Sequence, residues 1–389
     1  MKPVPRSPWI TLHRYLGLAA IPLLAFAAIT GSLLCMVRPI DAALNADLFR
    51  QQPVASPLPA AMVVDRFAAH HPEWQVRSFP LTIAADERIP VKAARADAPG
   101  GPATDQLFLD RATGEPAGAR RIGAAWSRRG ATELLHDAHY TLLGGKWGRW
   151  IMGIVAIAWL IGHCIGFYLT LPLRAPFWKQ WKRSWKLSFR SMFARFMLDL
   201  HKVNGLWLFV PLTAVALTSV GLNFFTEAYE PLADALFREP PERAVTAPAR
   251  PVPLTFSGAV AAARQRAAAT GEQWLPAAIT VQAATDRIGV QLCDDGTLNY
   301  HALGPVVYLF DRRSHAFAEA VDPYRGNPNL AMIRLLYPLH SGRIGGLATV
   351  VLVFLSGLAT AALCVTGVYV WWKKRKSRVA LRRARAPAN

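Results

Sequence analysis

Six of the ten histidines in this 389-residue chain lie at or inside long apolar runs, where an ionisable side chain needs a reason to be. His13 and His201 open two such runs, in LHRYLGL and LHKVNGL. His139 and His340 precede two others, His136 stands one helical turn before His139, and His163 lies within a run. Imidazole is neutral near pH 7 and can ligate a metal without carrying charge into lipid. Simple divalent sites usually add carboxylate or thiolate, and the apolar runs contain no Asp or Glu. Axial ligation of haem iron by histidines from different helices of a bundle suits this composition better than zinc or copper. Histidines at two depths would hold two haems and form a wire across a bilayer. There is no CxxCH for covalent attachment, so the type expected is haem b.

The elements that must carry these residues follow from hydropathy. A hydrophobic share of 52% and a positive mean hydropathy of +0.20 are high for a soluble chain. Four stretches reach the ~20 residues that a bilayer crossing needs: Leu16 to Val37, Trp150 to Leu171, Val203 to Phe225 and Leu347 to Trp372. The first reads as an uncleaved anchor, being longer than the apolar core of a signal peptide despite Ala25-Phe26-Ala27. The net charge of +19 is unevenly placed. Cations gather before the first run (Lys2, Arg6, Arg14), between the second and third (from Arg174 to Lys202) and after the fourth (from Lys373 to Arg385). The positive-inside rule makes these three segments cytoplasmic, with both termini inside. Trp178, Trp181 and Trp185, interleaved with cations, suit a segment lying on anionic lipid, so the lipid bilayer is the expected partner rather than nucleic acid. Cys35, Cys164 and Cys364 fall in the runs as small hydrophobes, and Cys293 is alone outside them.

The chain also reads as two copies of one unit. His13 and His201 are 188 apart; LFLDR at 107 resembles YLFDR at 308, and LLHDAH at 134 resembles LLYPLH at 335. Pro22 and Pro211 predict a kink in each odd-numbered helix. The expected fold is a membrane protein with a four-helix transmembrane bundle and two α+β domains, each a helix on an antiparallel sheet. In order these are a cytoplasmic N-terminus with the first helix (1–38), the first domain (39–130), the second helix with an outer extension (131–173) and a basic cytoplasmic loop (174–202). The third helix (203–225), the second domain (226–333), the fourth helix with its extension (334–372) and a basic tail (373–389) follow. Linkers rich in Pro and Ala, QQPVASPLPAA and TAPARPVP, lead into the domains.

By the repeat, His13 pairs with His201 toward the cytoplasm, and His340 with His139 or His136 toward the outside. His163 has Cys364 as its counterpart, so it is either a ligand displacing one of the inner pair or a relay between haems; helical rise puts it about 12 Å inside Leu171. Gly17, Gly144, Gly145, Gly162, Gly166, Gly205, Gly345 and Gly346 would let a flat macrocycle or a neighbouring helix come close. His70, His71, His301 and His315 read as solvated surface.

LHRYLGL with Thr30-Gly31, DLHKVNGLW, LHxxxxGG closing in TGVYVWW, and LFLDRATGE together resemble the PepSY-associated transmembrane family of iron-regulated membrane proteins over nearly the whole chain. The resemblance implies two periplasmic PepSY-like domains, four helices and b-type haem, with His13, His139, His201 and His340 matching the family's histidines. It implies a bacterial inner-membrane reductase that passes electrons to a ferric siderophore in the periplasm and releases Fe(II). No Gly-rich dinucleotide fingerprint is present, so electrons are expected from a separate cytoplasmic reductase or from quinol. The second domain departs from the pattern, with DRRSHA for DRATGE, so its turn is expected to differ. Rival readings are a permease for siderophore, haem or peptide, and a PepSY-type binding or regulatory module.

Overall fold

The structure is a computed structural model and describes residues 6–54, 56–95, 104–123, 126–237 and 247–384. Lys2 and Arg385, counted among the cations above, lie outside the described residues, as does the first residue of TAPARPVP. The chain divides into a helical unit (Met1–Met36, His136–Pro231, Leu339–Asn389) and a sheet unit (Val37–Leu135, Leu232–Pro338).

Among the described residues of the helical unit, three helical segments are long and apolar enough to cross a membrane: Ser7–Leu34, Gly145–Thr170 and Arg343–Ser377, the last formed mainly by the helix Gly346–Ala384. The remaining run is not straight. Phe193–Trp207 and Phe209–Asn223 meet at 71° across Leu208, giving three spans, or four if the bent pair is one. Pro211 accounts for the break, because it has no N–H for the carbonyl of Trp207 and its ring crowds that turn. Pro22, by contrast, sits inside an unbroken helix, so the two prolines do not act alike. Small residues bring the first and last spans together: a Cβ on Gly357 would overlap Ser32 Oγ, whose proton goes to the carbonyl of Ala28 at 2.8 Å. Trp178, Trp181, Trp185 and Trp207 form a ladder with ring centres 5.6, 5.4 and 5.7 Å apart.

The sheet unit carries β1 (Trp74–Pro80), β2 (Ile89–Arg95), β3 (Thr104–Leu109), β4 (Pro116–Arg121), β5 (Leu275–Gln282), β6 (Arg287–Cys293), β7 (Val306–Asp311) and β8 (Phe317–Val321). Each outer segment gives a helix followed by a four-stranded antiparallel meander, but the two do not form separate sheets. β1 pairs with β5 through Ser78 and Thr280, Phe79 and Ile279, and Pro80 and Ala278, so one sheet runs β4-β3-β2-β1-β5-β6-β7-β8. One core serves both halves. The helix Ala60–His70 contributes Val63, Val64 and Phe67, and the helix Phe256–Thr270 contributes Phe256, Ala259, Ala263 and Ala267. That last spacing of three and four residues is the stripe by which a helix faces a sheet, and its small side chains allow close approach. Asp65 joins the halves directly. Its two carboxylate oxygens accept the N–H groups of Phe256 (2.7 Å) and Ser257 (2.9 Å), capping the second helix from the first.

The β7–β8 turn corrects an expectation. It has the same form as the β3–β4 turn: Asp110 accepts the N–H groups of Ala112 and Thr113, and Asp311 those of Arg313 and Ser314. Gly114 takes φ +82° in the first, and His315 takes φ +63° at the same place in the second. Histidine tolerates the left-handed region better than most residues, and the His315 imidazole donates from Nε2 to the carbonyl of Val252 at 2.9 Å. The lost glycine did not change the turn.

Replacing Asp65 with Ala removes both acceptors from the helix start at Phe256, and should lower the stability of the full chain's sheet unit by about 1–2 kcal/mol. Hydrogen exchange at the amides of Phe256 and Ser257 reports the loss locally.

Candidate functional site

His13 lies on the first span, His163 on the second, and His201 on the first half of the bent pair. His139 and His340 lie near the ends of the helices Ala131–Thr141 and Pro328–Ser341. The structure brings four of the six together as two pairs from different helices. The rings of His13 and His201 are 6.3 Å apart between centroids, with planes 73° apart, and those of His139 and His340 are also 6.3 Å apart, with planes at 48°.

Each of the four rings has its hydrogen bond on Nδ1. His13 reaches the carbonyl of Gly162 (2.8 Å), His201 the hydroxyl of Thr366 (3.0 Å), His139 that of Thr30 (2.9 Å) and His340 that of Thr218 (3.3 Å). The shorter contacts of the threonines assign the direction. Thr366 donates its one hydroxyl proton to the carbonyl of Ala362, Thr30 to that of Phe26 and Thr218 to that of Ala214. Each therefore meets its imidazole as an acceptor, and the imidazole must carry its proton on Nδ1. A carbonyl imposes the same on His13. Nε2 is left with the lone pair in all four, the tautomer in which a histidine binds a metal.

The surroundings are cut close around the rings. A Cβ on Gly31 would stand 3.0 Å from His139 Cε1, one on Gly166 3.0 Å from His13 Cε1, and one on Gly367 3.4 Å from His201 Cε1. Gly17, Gly162 and Gly205, in contrast, have nothing within 4 Å of such an atom, and all three line a cavity of about 420 Å³ in the helical unit. His13, His163 and His201 line it too. Gly144, Gly145, Gly345 and Gly346 instead make the turns that lead into the second and last spans.

His163 shares the cavity with His13 and His201 but is in neither pair, and His136 is also in neither. His163 stacks on Phe209 with centroids 4.8 Å apart, and its Nε2 is 3.3 Å from the carbonyl of Phe209, beside the bend of the broken helix. His136 is exposed, with its ring 6.1 Å from that of Tyr140. Thr30, Thr218 and Thr366 were missed as site residues by the reading of histidines alone. A signal for two of them was present, since Thr30 and Thr218 are separated by the same 188 residues as His13 and His201.

Among the described residues no group of three or more His, Cys, Asp or Glu is arranged to hold a metal ion. The donor sets are pairs of imidazoles. Such a pair is too few for a mononuclear zinc or copper site but is the number that a macrocycle supplying four nitrogens leaves to the protein.

Residues 10–374 match the family model described as the PepSY-associated TM region. That match covers most of the chain, and the protein belongs to this family. A search of curated proteins returned no significant match.

In the sheet unit, His71 lies at the surface as its sequence context predicts, but it is held between two carboxylates. Its Nε2 is 3.1 Å from Glu115 and its Nδ1 3.2 Å from Glu73, and its ring lies 4.9 Å from that of Phe67. The Glu115 contact, followed by that of Glu73, raises its pKa above the ordinary 6.5. The stabilisation is therefore full below the unfolded value and is lost as pH rises through the folded one. In an NMR titration, Glu115→Gln should lower the His71 midpoint more than Glu73→Gln does. In the wild type the thermal midpoint of the sheet unit should fall across that same window, and His71→Gln should remove this component.

Proposed function

We propose that the helical unit binds two haem b groups, one between His13 and His201 and one between His139 and His340, and that the chain carries electrons across the bilayer. The observation that bears this reading is the pair geometry. Two imidazoles that held one metal ion between them would stand about 6 Å apart between ring centres, for bonds of about 2 Å and ring centres roughly 1 Å behind the bonding nitrogens. Both pairs stand at 6.3 Å, and both leave Nε2 unprotonated. When bound, haem supplies a one-electron carrier that cycles between ferric and ferrous iron.

The chain's own residues have definable parts in this reading. Thr30, Thr218, Thr366 and the Gly162 carbonyl hold the imidazoles in one tautomer and one orientation, and raise their basicity toward iron. Gly17, Gly162 and Gly205 keep side chains out of the cavity beside the His13 and His201 pair. His163 is assigned to supporting the bend at Phe209 rather than to iron, because its Nε2 faces a backbone carbonyl. The substrate carried over from the family resemblance is a ferric siderophore in the periplasm. Its reduction is useful because siderophore oxygens hold Fe(III) far better than Fe(II). The donor is a separate cytoplasmic reductase or quinol.

Family membership favours a second, coarser reading directly: a PepSY-associated membrane protein that binds or regulates a partner, or passes a siderophore, haem or peptide. The lack of a three-donor metal group among the described residues is in keeping with it. In that case the histidines are interfacial and hydrogen-bonded only.

An absorption spectrum of the purified full chain from haem-replete cells separates the two. The haem reading expects a Soret band and two haems per chain by pyridine haemochromogen. His13→Ala with His201→Ala should lose one, His139→Ala with His340→Ala the other, while His136→Ala and His163→Ala keep both. The reduced bands should be reoxidised on adding ferric siderophore. A colourless, folded preparation returns the protein to the second reading.

A further inference from the structure

The cavity beside His13 and His201 is chemically lopsided. Arg6, Arg14, Lys202 and Lys374 line it alongside the histidines. Along the first span Arg6 and Arg14 come first and Leu24 lies farther on; along the last span Thr360 comes first and Lys374 last. Gly367 of the last span lies against His201 and near Ile21 of the first, and Gly357 lies against Ala28 and Ser32, so the two spans run in opposite directions past the cavity. Arg6, Arg14 and Lys374 thus share one end, Lys202 follows His201, against which Gly367 of the last span lies, and the other end is apolar or hydroxylic.

Acidic residues are scarce in the sequence around Arg6 and Arg14. No Asp or Glu occurs between Asp137 and Asp199, or after Asp322, and Asp41 is the first in the chain. Asp199 is engaged by Arg195 at 2.9 Å and lies close enough to act on Lys202 as well. Among the described residues no ion pair is seen for Arg6 or Arg14. Arg6 donates from Nη2 to the carbonyls of Leu171 (2.6 Å) and Tyr168 (3.4 Å), while its Nε is buried with no partner. A buried guanidinium N–H without an acceptor is costly unless something arrives to accept from it. The positive-inside rule requires cations on this side of a membrane, but not that four of them line a cavity.

We infer that the cationic end of the cavity is a carboxylate clamp: Arg6, Arg14, Lys202 and Lys374 receive the acidic groups of a flat amphipathic ligand whose apolar body lies among the histidines and glycines. This rests on the haem reading and adds to it an orientation, acid groups toward the basic end, and a requirement for negative charge. Arg6 and Arg14 offer forked N–H donors for planar carboxylates, and the two lysines add point charges. Phosphate groups of anionic lipid share this chemistry, and the choice of probe below separates the two sources.

The test uses the full chain prepared without a haem supply, in discs of zwitterionic lipid, titrated with metal-free protoporphyrin IX or with its dimethyl ester. Neither probe needs the iron–imidazole bond, and only the first bears carboxylates. At low salt the diacid should bind at least about tenfold more tightly than the diester, with the gap closing as salt rises. Arg14→Gln with Lys374→Gln should abolish most of the gap by weakening the diacid alone, and Arg14→Lys should keep part of it. Arg6→Gln is the second variant, its fold checked by circular dichroism because Arg6 also binds backbone carbonyls. Equal binding of diacid and diester by the wild type overturns the clamp and leaves the cations to lipid, as does a double variant that weakens both probes alike. If the diacid is selected but iron protoporphyrin IX gives no bis-imidazole spectrum, the clamp stands and the haem reading falls. If neither porphyrin binds, both fall.

Discussion

A threonine hydroxyl has a single proton, and in a helix surrounded by apolar side chains the nearest acceptor is the carbonyl one turn back. Thr30, Thr218 and Thr366 all take that option. What remains to each is a lone pair, and a neighbouring imidazole can approach it only with Nδ1–H. This small constraint propagates outward. It fixes the tautomer of His139, His340 and His201, it orients the rings, and it leaves the opposite nitrogens unprotonated. The glycines that follow Thr30 and Thr366, Gly31 and Gly367, then matter because they are the positions against which the His139 and His201 rings rest. His13 obtains the same result from a backbone carbonyl at Gly162, with Gly166 one turn on as its packing surface.

Much of this was legible in the residues. The apolar runs, the pairing of His13 with His201, and the helix followed by strands in each outer segment follow from periodicity and spacing, which are local properties. His139 rather than His136 as the partner of His340 was not decidable from sequence, because both lie on one helical face and only the packing of other helices chooses between them. The third run bends near Pro211 as the proline predicts, but at 71° it divides into two helices instead of kinking within one. Pro211 predicts a disturbance, but the angle depends on what packs around the bend, including His163 and Phe209. The continuity of the sheet was also hidden. An edge strand advertises unpaired backbone groups but not which other edge will meet them. Nor did DRRSHA show that histidine would adopt the glycine conformation, since Asp311 does the turn-forming and the fourth turn residue merely follows.

The two units divide the physical work differently. In the sheet unit, stability comes from apolar burial between two helices and one sheet, with Asp65 as a polar link between the halves. In the helical unit there is little apolar gain from helix contact in lipid, so small residues such as Gly357 and Ser32 and the hydrogen bonds of the histidines carry more of the specificity. A bundle built that way can leave space beside its polar residues without collapsing into it, and the cavity flanked by Gly17, Gly162 and Gly205 is such a space.

The adjacency of β1 and β5 bears on how this chain is made. During synthesis the first meander emerges long before its neighbour, and two apolar stretches, Gly145–Thr170 and the bent pair, are translated in between. Until β5 appears, β1 presents an open row of amide and carbonyl groups that a second nascent chain could capture. Biogenesis thus depends on timing: the ribosome must deliver residues 275–282 before a stranger's strand takes their place.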